Sequence, residues 1–272
     1  MTIDDTELDA GLDLPGDLIE AYSRDGYVRL RSVLNPDSLA RYGAEITRLT
    51  LALNTQDKPL AERDTYDRAF LQVMNLWRQS EKVRRFVFGR RLARIAAQLM
   101  GVRGVRLYHD QSLYKEPSGG ITPAHADQYY WPFDSDKTIT AWIPLQHVPL
   151  EMGALAFYKG SHRTALGRDL PISAESEARI SAAMEGQGFP IDETAYARGD
   201  VSFHGGWTFH RAGANRSTRP RSVMTIIYMD VDMRIGKPVN AMQQNDLARW
   251  LPGLQPGDAA ASDLNPVLWA VP

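Results

Sequence analysis

The chain has 272 residues, 43% hydrophobic and 24% charged, with 31 Lys+Arg against 33 Asp+Glu, a formal charge of −2 and no cysteine. This is the composition of a folded, water-facing protein. It lacks the basic excess that a nucleic-acid partner demands, and the missing thiols exclude disulfides, iron–sulfur clusters and Cys-ligated zinc.

The N-terminus is acidic (Asp4, Asp5, Glu7, Asp9, Asp13), the reverse of a signal peptide, and no apolar run approaches the ~18 residues of a membrane span. A cytoplasmic protein with no membrane partner is therefore expected. Few aliphatics accompany those acids, so residues 1–13 read as a mobile N-terminus ahead of a single domain over 14–272. Within that domain a helical front runs from 14 to 101. Gly26 stops a first helix before a short strand at Tyr27–Leu30. Asn35-Pro36 forms an N-cap and N1 pair for a helix that buries Leu39, Tyr42, Ile46, Leu49 and Leu53 on one stripe. After a polar stretch at Asn54–Asp64, helical spacing returns around Ala69–Trp77, in Ser80–Phe88 and in Arg91–Met100.

Beyond Gly104 the period becomes alternating, which marks strands. Val105, Leu107, His109, Gln111 and Leu113 are expected on one strand face. Ile139, Ala141, Ile143 and Leu145 alternate in another strand, and Ala154–Tyr158 and Val201–Phe203 are shorter ones. Arg221–Val231 is the longest, with Arg221, Val223, Thr225, Ile227 and Met229 on one face. Roughly eight short strands predict a jelly roll over 104–232, with a helical insertion near 173–188 and a C-terminal segment over 233–272.

The chemistry has to come from six histidines, carboxylates and arginine. In His125-Ala126-Asp127 the first and third side chains of a strand point the same way, so both could reach one metal. Chance supplies about 0.7 such triplets in this composition, so the spacing alone says nothing. It gains weight from Gly199–Ser217, where a strand and a Gly-rich turn bring His204 and His210, and from Arg221 at the head of the apolar strand. Two histidines and one carboxylate leave adjacent positions open on a metal, the arrangement of non-haem Fe(II) oxygenases. A buried arginine beside them needs an anion, and a dicarboxylate would fit its fork.

These segments make the chain recognisable. Asp25–Val28, His109–Lys115, Thr122–Gln128, Thr140–Leu145, Gly153–His162, His210 and Arg221 occur in the order and spacing that resembles the phytanoyl-CoA dioxygenase family of Fe(II)/2-oxoglutarate-dependent oxygenases, in its bacterial branch. The likeness runs over roughly residues 17–265. It implies a double-stranded β-helix, a cupin-like jelly roll that is mainly β with N-terminal α-helices. It implies Fe(II), with 2-oxoglutarate and dioxygen as cosubstrates. By the same resemblance His125, Asp127 and His210 match the iron ligands, with His204 left as pocket lining. Arg221 matches the residue that pairs with the distal carboxylate of 2-oxoglutarate, and Gln111 and Trp142 line the cosubstrate pocket. Ala212 stands where some members carry a serine bonded to 2-oxoglutarate, which shifts such contacts toward Thr122 or Gln111. Relatives that halogenate have Gly or Ala at the carboxylate position, so Asp127 argues against halogenation.

For the substrate, the run Tyr129-Tyr130-Trp131-Pro132-Phe133 and Trp207 are expected to wall a pocket, with His109 reaching into it. Such walls suit a bulky, partly apolar small molecule, and tailoring of a natural product in antibiotic or other secondary metabolism is the expected role. Two other oxygenase substrates remain open, an acyl-CoA and a small amino-acid-like solute; the former would use the arginines at 84, 85, 90, 91 and 94. Outside that class stand a non-catalytic jelly-roll ligand-binding protein and a zinc cupin. Nothing in the sequence gives the oligomeric state.

Overall fold

The structure is a computed structural model that describes residues 6–271. Three short stretches open it: helix α1 (Thr6–Asp9), helix α2 (Gly16–Asp25) and strand β1 (Tyr27–Leu30). Helix α3 (Pro36–Leu53) starts where expected, because the Asn35 side chain accepts from the backbone N–H groups of Asp37 and Ser38. Strand β2 (Leu71–Met74), helix α4 (Glu81–Val87) and helix α5 (Arg90–Met100) complete the front. Strands β3 (Gly104–Lys115), β4 (Thr122–His125), β5 (Thr138–Pro144) and β6 (Leu155–Tyr158) follow. Next come helix α6 (Ala174–Gly186) and strands β7 (Ile191–Glu193), β8 (Val201–Gly205), β9 (His210–Ala212) and β10 (Arg221–Asp230). Helix α7 (Ala241–Trp250) and strand β11 (Val267–Ala270) close the chain.

Two antiparallel sheets face each other. The larger has seven strands in the order β1-β8-β5-β10-β3-β11, with β2 also on β3; the smaller runs β4-β9-β6-β7. This is the expected double-stranded β-helix. On the outer face of the large sheet, alternate residues such as Ile139, Ala141, Ile143, Met224 and Ile226 join one core with Leu39, Ile46, Phe86 and Ile95 of the helices. The helical front thus covers one face and leaves the other for the site.

Three expectations are corrected. Ala69–Trp77 is not an α-helix: Leu71–Met74 pairs with Tyr114–Gln111 of β3, Asn75 turns left-handed at φ 52 to end the strand, and only a short 3-10 turn follows at Leu76–Arg78. The exposed edge of β3 outweighs a weak helical spacing. Strand β3 also does not keep one face. Its register against β10 shifts between Ile227 and Tyr228, leaving Tyr108 as an extra residue, so Val105 and Leu107 join the outer core while His109, Gln111 and Leu113 face inward. At the N-terminus, residues 1–5 lie outside the described residues. Residues 6–13 do not read as a loose tail, because Glu7, Asp9 and Asp13 pair with Arg91, Arg85 and Arg94 of the helices beneath.

Candidate metal centre and cosubstrate pocket

Strand β4 delivers His125, and Asp127 follows at the head of a 3-10 turn, Asp127–Tyr130. Helix α6 clamps β4 from outside: Glu177 accepts from the Ala124 N–H at 2.6 Å, and the Ser176 hydroxyl donates to the Ala124 carbonyl at 3.0 Å. The neighbouring strand β9 opens with His210, which lies directly across from His125. The two imidazoles are 4.2 Å apart at their centroids. Asp127 Oδ1 lies 3.5 Å from His125 Nε2 and 3.7 Å from His210 Nε2, and one donor atom from each residue falls within 4.8 Å of the others.

The protonation of this group suits a metal. The Nδ1 atoms of His125 and His210 bond the carbonyls of Pro123 and Thr208 at 2.7 and 2.9 Å. A carbonyl only accepts, so each Nδ1 carries the hydrogen and each Nε2 presents a lone pair to the centre. Burial, then the neighbouring imidazoles, keeps the His210 pKa well below its ordinary value, and the ring neutral. Burial alone would raise the Asp127 carboxyl, but His210, His125 and His204 together hold it well below the usual carboxylate range. The carboxylate has divided duties. Oδ1 faces the two histidines, while Oδ2 accepts from the Thr140 hydroxyl at 2.9 Å and lies 3.2 Å from His204 Nε2. His204 therefore backs the carboxylate and does not stand among the three converging donors.

Away from the metal donors, one wall of the same cavity holds Arg221, 2% exposed. Its Nη1 donates to the Gly153 carbonyl at 2.6 Å, its Nε has no partner, and no carboxylate pairs with it among the described residues. Burial lowers its pKa to about 10. A buried guanidinium in this state calls for an anionic guest. Gly153 has to be glycine there: φ is 75°, and a Cβ would stand 2.2 Å from the Gly213 carbonyl oxygen. Trp142 lies under the guanidinium at 5.7 Å, and Thr122, Gln111 and Ala212 line the same cavity. Gln111 is held by Gln72, whose amide donates to it at 2.9 Å. Lys115, opposite Arg221 in the register, is tied to Gly120, Thr122 and Gly213, with its pKa lowered well below normal by burial and by Arg221. Three converging donors, open space beside them and an unanswered buried guanidinium fit a metal together with a chelating dicarboxylate.

The cavity measures about 240 Å³. Of the residues expected to wall it, Tyr130, Trp131 and His109 do so. Tyr129, Phe133 and Trp207 are absent from its lining. In a 3-10 turn residues three apart eclipse, so Asp127 and Tyr130 share a face and Tyr129 leaves it. The Tyr129 carbonyl instead receives Asn240 and Gln243 from the start of α7. Phe133 packs edge-on against Tyr108, and Trp207 lies beneath Arg168 at 4.3 Å. Tyr66, Phe70, Thr140, Ile172 and Asp246 do line the cavity. Tyr66, Phe70 and Ile172 come from loops and Asp246 from α7, without a motif; only Thr140, on β5 and facing inward between Ile139 and Ala141, had a readable signal. The arginines at 85, 91 and 94 are already paired with acids, and Arg84 stacks on Phe88 at 5.1 Å.

Comparison with known proteins agrees with this geometry. The family model described as phytanoyl-CoA dioxygenase matches residues 22–223. An ectoine dioxygenase of Streptomyces coelicolor is 25% identical over 252 residues, covering 83% of this chain and 81% of its own. Among solved structures, the epimerase SnoN in complex with Fe3+, alpha ketoglutarate and nogalamycin RO superposes with a TM-score of 0.77 at 29% identity, covering 93% of this chain and 98% of that one. The carbocyclase SnoK from nogalamycin biosynthesis gives 0.76 at 27% identity, covering 94% and 96%.

Proposed function

The chain belongs to the phytanoyl-CoA dioxygenase family, and from that premise we propose that it oxidises a C–H bond of a bulky small-molecule natural product in secondary metabolism. It is a non-haem Fe(II)- and 2-oxoglutarate-dependent dioxygenase. His125, Asp127 and His210 would hold the iron, and Arg221 would pair with the far carboxylate of 2-oxoglutarate. Bound together, iron and 2-oxoglutarate activate dioxygen for attack on a C–H bond, with succinate and carbon dioxide as the cosubstrate's products. The protein supplies position and dryness. Thr140 and His204 hold Asp127 Oδ2 and leave Oδ1 facing the two histidines, where it would serve the iron, and the backbone carbonyls of Pro123 and Thr208 keep both imidazoles in the ligating tautomer.

The observation that carries this reading is the buried Arg221 with its unpartnered Nε in the cavity that also holds the three converging donors. A zinc hydrolase would give this guanidinium no anion to hold, and a ligand-binding jelly roll with a degenerate metal site would have no need of all four residues together. SnoN and SnoK support the secondary-metabolite assignment through likeness alone. Because the cavity has to hold 2-oxoglutarate as well, a bulky substrate would insert one portion and leave the rest outside. The likeness to ectoine dioxygenase favours a second reading, a compact solute that enters whole.

The test is anaerobic titration of the apoprotein with Fe(II) and then 2-oxoglutarate. A visible metal-to-ligand charge-transfer band is expected in wild type and lost in His210→Ala. Its absence in wild type, with zinc retained instead, would overturn the reading.

A further inference from the structure

The cavity is electrically asymmetric along β3 and β10. Arg221 stands at the level of Lys115, Thr225 is paired with Gln111, and Ile227 with His109. At ~3.3 Å per residue, Ile227 lies roughly 20 Å along the strand from Arg221. At the far end the cavity wall includes a carboxylate, Asp246 of α7. Its Oδ2 accepts the Tyr108 hydroxyl at 2.8 Å, and it makes no ion pair among the described residues. The Trp250 side chain also hydrogen-bonds this carboxylate, and Arg249 acts on it electrostatically without forming an ion pair, its guanidinium lying over the Trp250 ring at 4.5 Å. His109, the other titratable group nearby, is kept neutral by burial and stacks between Tyr108 and Trp250. Tyr66, Phe70, Tyr130 and Trp131 supply aromatic lining to the same space. A carboxylate that makes no ion pair among the described residues, set among aromatic rings, is the chemistry that receives an alkylammonium group.

We propose that Asp246 and these aromatic rings form an amine-recognition subsite, so that the substrate carries a protonated amine remote from the carbon that is oxidised. The inference rests on the oxygenase reading and names its substrate class. The positive charge enters at the end opposite Arg221, so the substrate and 2-oxoglutarate are sorted by charge: the dicarboxylate is drawn to one end and the amine to the other. Neither can take the other's place without setting like charges together. Bulky and compact substrates alike would meet this requirement.

The test uses matched probes on the full chain, 2-phenylethylammonium and 2-phenylethanol, with affinities read by ligand-observed NMR on the apoprotein and on the Fe(II)–2-oxoglutarate form under argon. Wild type should bind the ammonium about tenfold tighter, the ratio that ~1.4 kcal/mol produces. Asp246→Asn, which keeps an acceptor for Tyr108, should abolish that preference and leave the alcohol within about twofold. Equal affinity of the two probes for wild type, no binding of the ammonium, or a preference that survives Asp246→Asn would each overturn the proposal. The charge-transfer band is recorded on the same samples. If it forms in both proteins while the preference is absent, the amine subsite fails and the oxygenase reading stands. If it never forms, the oxygenase reading fails, whatever the probe ratio.

Discussion

The two ends of the cavity are built by different means. The end that holds the three donors and Arg221 is made of paired strands, and most of its polar atoms are bonded to backbone: His125 to Pro123, His210 to Thr208, Arg221 to Gly153. The far end is made of a 3-10 turn, loops and one face of α7, and its carboxylate is held through side chains, as in Tyr108 with Asp246, beside the pair Tyr66 with Gln72. Backbone anchors survive changes of side chain, whereas contacts between side chains are rewritten by single substitutions. On the proposed function, the reaction is held by the part of the fold that is hard to alter, and substrate choice by the part that is easy to alter.

The strongest way to break this contrast is to remove a donor. Asp127→Ala or His210→Ala should weaken iron binding by more than about 100-fold, beyond the loss that outer-sphere changes produce. Metal content after dialysis would measure it, and the ammonium preference of the apoprotein should be unchanged. Next, Arg221→Leu should raise the KM for 2-oxoglutarate by roughly 30- to 5000-fold, the range that about 2–5 kcal/mol of lost buried pairing gives. Steady-state succinate production reads this directly, and Arg221→Lys should recover only part, since an ammonium lacks the planar fork.

A smaller effect is expected one layer out. His204→Ala or Thr140→Val should cost about 10- to 100-fold in iron affinity while leaving all three ligands in place. An unchanged affinity would mean that the hold on Asp127 Oδ2 is incidental. At the far end the expected effects are smaller still and depend on pH. Burial raises the Asp246 carboxyl to about 6, so it is protonated at pH 5 and charged at pH 7.5. Preference for 2-phenylethylammonium over 2-phenylethanol should therefore grow as pH rises through about 6, by up to about tenfold, and stay flat in Asp246→Asn. Among the neighbours, neutral His109 and the raised Tyr108 and Tyr66 hydroxyls stay in one form across that range. As the smallest change, Asn35→Ala removes the cap of α3 and should cost about 1 kcal/mol of stability in denaturant titration, with both ends of the cavity unaffected.

Legibility in the sequence follows the same division. His125, Asp127, His210 and Arg221 could be picked out because the ordered segments resemble the family, and a resemblance that preserves spacing preserves the site; the shared strand expected for His125 and Asp127 is not found, since Asp127 opens the 3-10 turn after β4. The outward strand face, with Ile139, Ala141 and Ile143, was readable because strand geometry ties spacing to direction. Where the backbone departs from a uniform period, reading failed. Tyr129 and Phe133 were grouped with Tyr130 and Trp131 because they adjoin in sequence, but the 3-10 turn sends neighbours in different directions. Leu71–Met74 looked helical because strand pairing with β3 is a distant contact that no local pattern encodes. Asp246 carried no signal at all, since an isolated acid on a polar helix looks like any solvated residue until the helix is docked.

The extra residue in β3 has a consequence of its own. Strand β3 is read in two frames, one before Tyr108 and one after it. The first half spends its alternate side chains on the helices, and the second half spends them on the cavity. The change of frame also puts Tyr108 and His109 on the same side, ring beside ring at 4.4 Å, which is what brings the Tyr108 hydroxyl to Asp246. Deleting one residue here would restore regular alternation and turn either His109 or the Val105–Leu107 pair to the wrong side. For anyone redesigning the pocket, residue count in this stretch is as binding as residue identity. Substitutions at 108 and 109 keep the two frames only so long as nothing is inserted or removed between Leu107 and Asp110.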